Sequence, residues 1–404
     1  MKTEMVLTPI DLGTVDDVSN LFSHPPNYNA IFLKTSAGKK LTMELEKTVE
    51  LYVTSSLKRD GYSDSTASVK IVDGRVKLMI TGPDTGVAAT SAYSKVLPQF
   101  LDIGRIGYGL SVNNAQTEKW RFNWRFFLPL GIAMVNHRSV QLLHFPPDTV
   151  LSIDQDYLAA STTKRWARLL TANGVRPGET DSYQNIVDIA PIAAPHADGS
   201  NMKVELCATY SPYIVHLLEA WLPGDEAVRP MVAFGGPVRQ WIKIQFKLGE
   251  DLGVLSLLTL QLDSDIRVPT LTANHPSMIF NLDDNLKDDE NTPEDDRLCA
   301  LIPTMQEDLI AAGWQARMAQ APTSDPMKVL DECKKIWMGN DKTQEICQLI
   351  YEQVFNNTPE EAAQLVRDKP LPDCAEKVVA EPAGSVAMAY KDKINKLAFK
   401  LAAV

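Results

Sequence analysis

Short alternating runs give way to helical stripes along this chain, dividing it into two textures. Up to about residue 280, strand-compatible apolar runs lie between Pro, Gly, Asn and Thr punctuation. The clearest is Ala67–Val72, Asp73-Gly74, Arg75–Ile80. Val69 and Ile71, then Val76 and Leu78, alternate with polar neighbours around a dipeptide that accepts positive φ. This predicts a hairpin over residues 67–80. Further strands are predicted at Lys119–Leu128, Ser139–His144, Lys203–Ala208 and Trp241–Leu248. In the last, Trp241, Ile242, Ile244, Phe246 and Leu248 form an apolar face opposite Lys243, Gln245 and Lys247. Helical spacing marks Leu41–Leu57, Ser161–Ala172 and Tyr213–Trp221. Residues 1–280 thus read as an α+β body with antiparallel sheet.

From Leu298 the pattern is helical. Ile310, Trp314 and Met318 form a stripe, and Asp325-Pro326 opens a helix burying Val329, Leu330, Cys333, Ile336 and Trp337. The next presents Ile346, Leu349, Ile350 and Val354. Thr358-Pro359-Glu360-Glu361 is a capping box. Beyond Pro370 and Pro372, a last helix is predicted over 385–401, with Pro382-Ala383-Gly384 as its hinge. Its apolar side (Val386, Tyr390, Ile394, Leu397, Leu401) is a candidate oligomer interface, flanked by Lys393, Lys396 and Lys400. Residues 298–404 read as an all-helical domain. Between the two textures, residues 281–297 read as an acidic linker or exposed loop, with eight acids and one lysine, Lys287, between Asp283 and Asp296. An EF-hand fails there, since Lys287 occupies a ligand position and no glycine supplies the turn.

Composition adds bounds. The 404 residues are 45% hydrophobic and 23% charged, too apolar for a disordered chain. The net charge of -11 lies largely in the acidic segment, so it does not exclude a nucleic-acid surface elsewhere. Five widely spaced cysteines argue against a disulfide scaffold and for a reducing compartment. The N-terminal residues lack a signal-peptide core, and the longest apolar runs are too short to span a bilayer. The expectation is a soluble cytoplasmic protein (or a virion component, if viral) without membrane insertion.

Catalytic signatures are weak. Asp84-Thr85-Gly86 resembles an aspartic-protease signature, but no second copy supplies the paired carboxylate, and a turn after the hairpin explains it. Gly104–Gly109 lacks the ending of a phosphate loop. Asp154-x-Asp156 and Asp263-x-Asp265 suit a metal-bound sugar nucleotide, or simply turns. No histidines sit at i, i+3 or i+4, and none adjoins a cysteine, so no metal or other cofactor is expected. In Lys119–Phe127, Trp120, Phe122, Trp124 and Phe126 project to one face and Arg121, Asn123 and Arg125 to the other. Four rings are too much apolar area to leave wet, so the aromatic face reads as core. The basic face, Lys119, Arg121 and Arg125, is then a candidate phosphate contact together with Lys164, Arg165 and Arg168.

These features point to a self-assembling structural protein, for instance a viral coat or nucleocapsid subunit, with itself as partner. The alternatives are a nucleoprotein coating RNA through the basic residues, and a hydrolase or transferase working through Asp84 or an Asp-x-Asp pair. The scarcity of catalytic signatures places the enzyme last.

Overall fold

The computed structural model describes residues 9–19, 31–34, 40–59, 64–82, 94, 125–126, 137–144, 161–190, 192–193, 207–208, 210–222, 227–262, 265–287, 293–355 and 358–368. The fold class is α+β, as the pattern predicts. The predicted hairpin is formed by β4 (Thr66–Val72) and β5 (Arg75–Thr81), which turn at Asp73 and Gly74 with φ of 50° and 70°. β1 (Ile10–Thr14), which leads into the short α1 (Val15–Ser19), joins β5 antiparallel to give the order β1-β5-β4. Arg75 and Lys77 on β5 contact Asp11 at 2.8 and 2.7 Å and hold its carboxyl well below the usual carboxylate range.

A second antiparallel pair, β2 (Ile31–Lys34) and β3 (Lys40–Met43), precedes α2 (Leu45–Arg59). The helix predicted from Leu41 therefore starts four residues later. α2 runs along the outer edge of β4. Glu46 Oε1, Glu50 Oε1 and Thr54 Oγ1 accept the backbone N–H groups of Ile71, Val69 and Ala67 at 3.3, 3.0 and 3.4 Å. Four residues of helix rise about 6 Å and two residues of strand about 6.7 Å, so the two rows keep step.

The larger sheet is mixed. Its strands are β7 (Val140–Leu143), β8 (Asn185–Asp188), β10 (Met231–Phe234), β11 (Leu257–Gln261) and β12 (Arg267–Ala273), in the order β11-β12-β10-β7-β8. β7, β8, β10 and β12 run parallel, and β11 is antiparallel at one edge. β7, β8 and β10 are buried at every position, as parallel strands covered on both faces are. The two-residue strands β6 (Arg125–Phe126) and β9 (Ile192–Ala193) pair with each other.

The helices are α3 (Ser161–Ala172), α4 (Ser211–Trp221), α5 (Gly235–Gln245), α6 (Met278–Lys287), α7 (Glu294–Gln320), α8 (Pro326–Trp337), α9 (Thr343–Val354) and α10 (Pro359–Asp368). One core joins Val140, Leu142, Met231 and Ala233 to the three-stranded sheet, α2, α4 and α5. The other joins Leu143, Ile186, Val232 and Leu271 to α3 and α6–α10. α7 is the hub of the second core, buried on nearly all sides. Gly313 lets α3 approach it: a Cβ there would stand 2.5 Å from Asn173 Oδ1. That amide bonds the carbonyls of Leu169 and Leu309 and accepts from the Trp337 indole. The predicted caps form, with Asp325 accepting from Met327 N and a reciprocal pair between Thr358 and Glu361.

Three expectations are corrected. Trp241–Leu248 is not a strand: Val238, Trp241 and Ile242 bury one face of α5, while Ile244 is 57% exposed. Alternating lysines had imitated a period of two. Cys207 and Ala208, placed at the end of a predicted strand, have helical backbone. The acidic segment is not an open linker, because α6 occupies residues 278–287 and α7 begins at Glu294. Ile279 and Leu286 are buried, and Asp283 is 1% exposed, paired with Lys287 and with Arg297 at 3.1 Å. These two counter-ions and the apolar anchors override the charge repulsion that suggested a loop. No helix among the described residues is long and apolar enough to cross a membrane. Residues 385–401 lie outside the described residues, as does the predicted strand 119–128 apart from 125–126.

Candidate functional site

In an open, mostly parallel sheet the strands deliver their following residues to one edge, and ligands bind where strand order reverses. Here the chain passes from β7 outward to β8 and then returns to β10 on the other side of β7. The reversal thus lies between β7 and β10. β7 is followed by His144, β10 by Gly235 and Gly236, and β12 by Asn274 and His275. Gly235 has φ 84°, the left-handed region that favours glycine, and a Cβ on it would stand 3.5 Å from His275 Cβ. At Gly236 nothing lies within 4 Å of where a Cβ would project, so the backbone there faces open space.

His275 is tied to the turn that follows it. Its Nδ1 accepts from the Ser277 backbone N–H at 3.2 Å, which leaves Nε2 as the proton-bearing nitrogen. Burial, with repulsion from His144 and Arg165, pushes its pKa down to about 4, so the imidazole is neutral at neutral pH. Ser277 Oγ in turn accepts from Arg165 Nη1 at 3.3 Å and lies 3.2 Å from Thr162 Oγ1, so α3 reaches the same edge. The Arg165 guanidinium lies over the Phe280 ring, 3.3 Å from its centroid. One strand further out, Asp188 ends β8, buried, with Oδ1 unbonded; burial raises its pKa to about 8. At neutral pH it is a carboxylic acid rather than a carboxylate.

Beyond β12, Asn274 donates to Glu307 at 2.9 Å, and Arg239 on α5 donates to the Ala273 carbonyl at 3.1 Å. These contacts fasten α5 and α7 at the same end of the sheet. Among the described residues, no group of three His, Cys, Asp or Glu side chains is placed to hold a metal ion. Cys333 and Cys347 are buried free thiols, and burial pushes both up to about 11.

Of the residues singled out from sequence, Arg165 belongs to this cluster. Lys164 on the same helix is exposed, whereas Arg168 is half-buried and donates to the Glu352 carbonyl at 3.0 Å. Arg125 falls in β6; Lys119 and Arg121 lie outside the described residues. Asp84, Asp154, Asp156 and Asp263 lie outside them too, as do Val386, Tyr390, Ile394, Leu397 and Leu401. Asp265 has φ 61° and accepts from Gln261 in the turn between β11 and β12, at the opposite end of the sheet from His275. That agrees with the turn reading.

His144, His275 and Gly235 escaped sequence reasoning, which looked for ligand spacing along the chain. The signal was a histidine or glycine pair directly after a short apolar run: Leu142-Leu143-His144, Ala233-Phe234-Gly235-Gly236 and Ala273-Asn274-His275. No protein-family model, curated protein or solved structure matches this chain.

Proposed function

We propose that the protein binds a small polar ligand at the carboxyl edge of its five-stranded sheet, in the crevice between β7 and β10. The observation carrying this reading is that the reversal of strand order coincides with His144 and Gly235, with His275 closing in from β12. The cluster offers an uncharged imidazole donor, a hydroxyl, a guanidinium and backbone in open space. Such a mixture suits orientation of a polar group rather than burial of an apolar one.

Gly236→Leu tests the location. The residue lies in the first turn of α5, where an added Cβ meets nothing within 4 Å, so leucine starts without a clash and adds bulk at the proposed site. In a thermal-shift panel of nucleotides, sugar phosphates and carboxylic acids, at least one class is expected to raise the wild-type melting temperature by several degrees. The variant, with its own melting temperature kept, is expected to respond to none. Equal responses in both proteins, or none in either, would overturn the reading.

A second reading is self-assembly in the cytoplasm, as in a coat or nucleocapsid subunit, with the stripe Val386, Tyr390, Ile394, Leu397 and Leu401 as the contact between copies. The specific observation favouring it is this apolar stripe beside a Pro-Ala-Gly hinge. Truncation after Gly384 is then expected to leave a folded protein that sediments as a smaller species than the full chain. Identical sedimentation of the two would remove the stripe as a contact between copies. RNA as an additional partner of that assembly draws on Lys119, Arg121, Arg125 and exposed Lys164, since Arg165 and Arg168 are engaged within the fold.

A further inference from the structure

Arg165 makes no ion pair among the described residues. Its bonds are to Ser277 and to the face of Phe280, both uncharged. Burial lowers its pKa to about 10, with Arg168 on the next turn of α3 adding repulsion. A half-buried cation without a counter-ion is costly, and an anion brought to it removes that cost. The groups placed beside it are the hydroxyl of Ser277, which lies 3.2 Å from that of Thr162, and the ring of Phe280. Thr162 and Ser277 lie on one side, and His275, held by the Ser277 N–H, lies on the side of Gly235.

We propose that this cluster binds a phosphoryl group of the ligand, with Arg165 as counter-ion, Ser277 and His275 Nε2 as neutral donors, and the open face of Gly236 as its room. This rests on the carboxyl-edge reading above. The donors come from α3 and from the turn after β12, and so approach from different directions. That spread suits a tetrahedral group; a planar carboxylate is satisfied by one guanidinium edge alone.

The probe is inorganic phosphate, followed by phosphorus NMR line width and by melting temperature at constant ionic strength, with acetate as control. Phosphate is expected to broaden and to stabilise the wild type, and acetate to do neither. Arg165→Met keeps an apolar stem over Phe280 but removes the charge, and is expected to weaken phosphate binding at least tenfold; Arg165→Lys should restore part of it. Should Arg165→Met fail to fold, Ser277→Ala is expected to weaken binding in the same direction. No phosphate binding by the wild type, an equal effect of acetate, or undiminished binding by folded Arg165→Met would each overturn the proposal. If Gly236→Leu abolishes the response to a panel ligand while Arg165→Met does not, the carboxyl-edge site stands and the phosphoryl assignment falls. If Arg165→Met abolishes phosphate binding while Gly236→Leu changes neither phosphate binding nor any panel response, phosphate is held away from Gly236 and both fall.

Discussion

Gln315→Leu is expected to cost about 3 kcal/mol or more of folding stability, read as a lower urea midpoint with an unchanged slope. Gln315 projects from α7 into the second core with no solvent exposure. Its Nε2 donates to Ser139 Oγ at 2.8 Å and to the Tyr183 carbonyl at 2.7 Å; its Oε1 accepts from the Trp166 indole at 2.7 Å and from Gln141 Nε2 at 3.4 Å. One amide thus ties α7 to β7, to α3 and to the turn that ends at Tyr183. Leucine matches the volume but leaves the indole N–H and the Gln141 amide buried without partners, each costing about 1–3 kcal/mol. Adding Trp166→Phe removes one orphaned donor, so the double variant is expected to lose less than the sum of the singles. Strict additivity would mean that the indole bond contributes nothing. The same bonds tie α7 to the sheet with which it shares the second core.

The second large effect is on the pH dependence. Asp188 has its pKa raised from 3.8 to about 8 by burial, so the native state holds a proton that the unfolded chain releases above pH 4. Its stabilising contribution is full below pH 4 and is lost by about 1.4 kcal/mol per pH unit as pH rises to about 8. His275 has the opposite sign. Its pKa falls from 6.5 to about 4, so its contribution is full above 6.5 and is lost as pH falls through about 4. Where the windows overlap, from about pH 4 to 6.5, the two slopes oppose each other. From 6.5 to 8 the His275 slope is gone, and buried Asp308, whose carboxyl is also pushed well up by burial, adds a slope of the same sign as that of Asp188. Asp188→Asn, close in shape and never charged, is expected to lessen the decline above pH 6.5, leaving the share of Asp308, and to leave the His275 slope below it. A wild-type decline between pH 6.5 and 8 that is undiminished in Asp188→Asn would show that Asp188 does not contribute to it.

What was legible in the sequence follows from what each element exposes. The hairpin announced itself because one face of β4 and β5 is polar and its turn needs positive φ. α3 and α7–α10 were legible because their apolar stripes repeat over several turns, with caps at Asp325 and Thr358 to mark starts. β8 and β10 were not, because strands four residues long and buried at every position carry no alternation to read. Lys243, Gln245 and Lys247 misled for the opposite reason, a chance alternation on a helix. The acidic run hid a helix because the charges dominate composition, while Ile279, Leu286 and Arg297, which decide the structure, are few. The candidate site was invisible as a motif because a parallel sheet gathers residues that follow different strands, and only the topology reveals that they meet.

α2 behaves toward β4 as a missing strand would. Its row of Glu46, Glu50 and Thr54 takes three outward amides that a neighbouring chain would need for pairing, so this rim is closed to strand addition. The closure is all-or-none in register: inserting one residue within α2 between Glu46 and Thr54 rotates part of the row by about 100° and breaks the match. Length in this helix is therefore fixed more tightly than its composition, and any association between copies has to use a surface other than this edge.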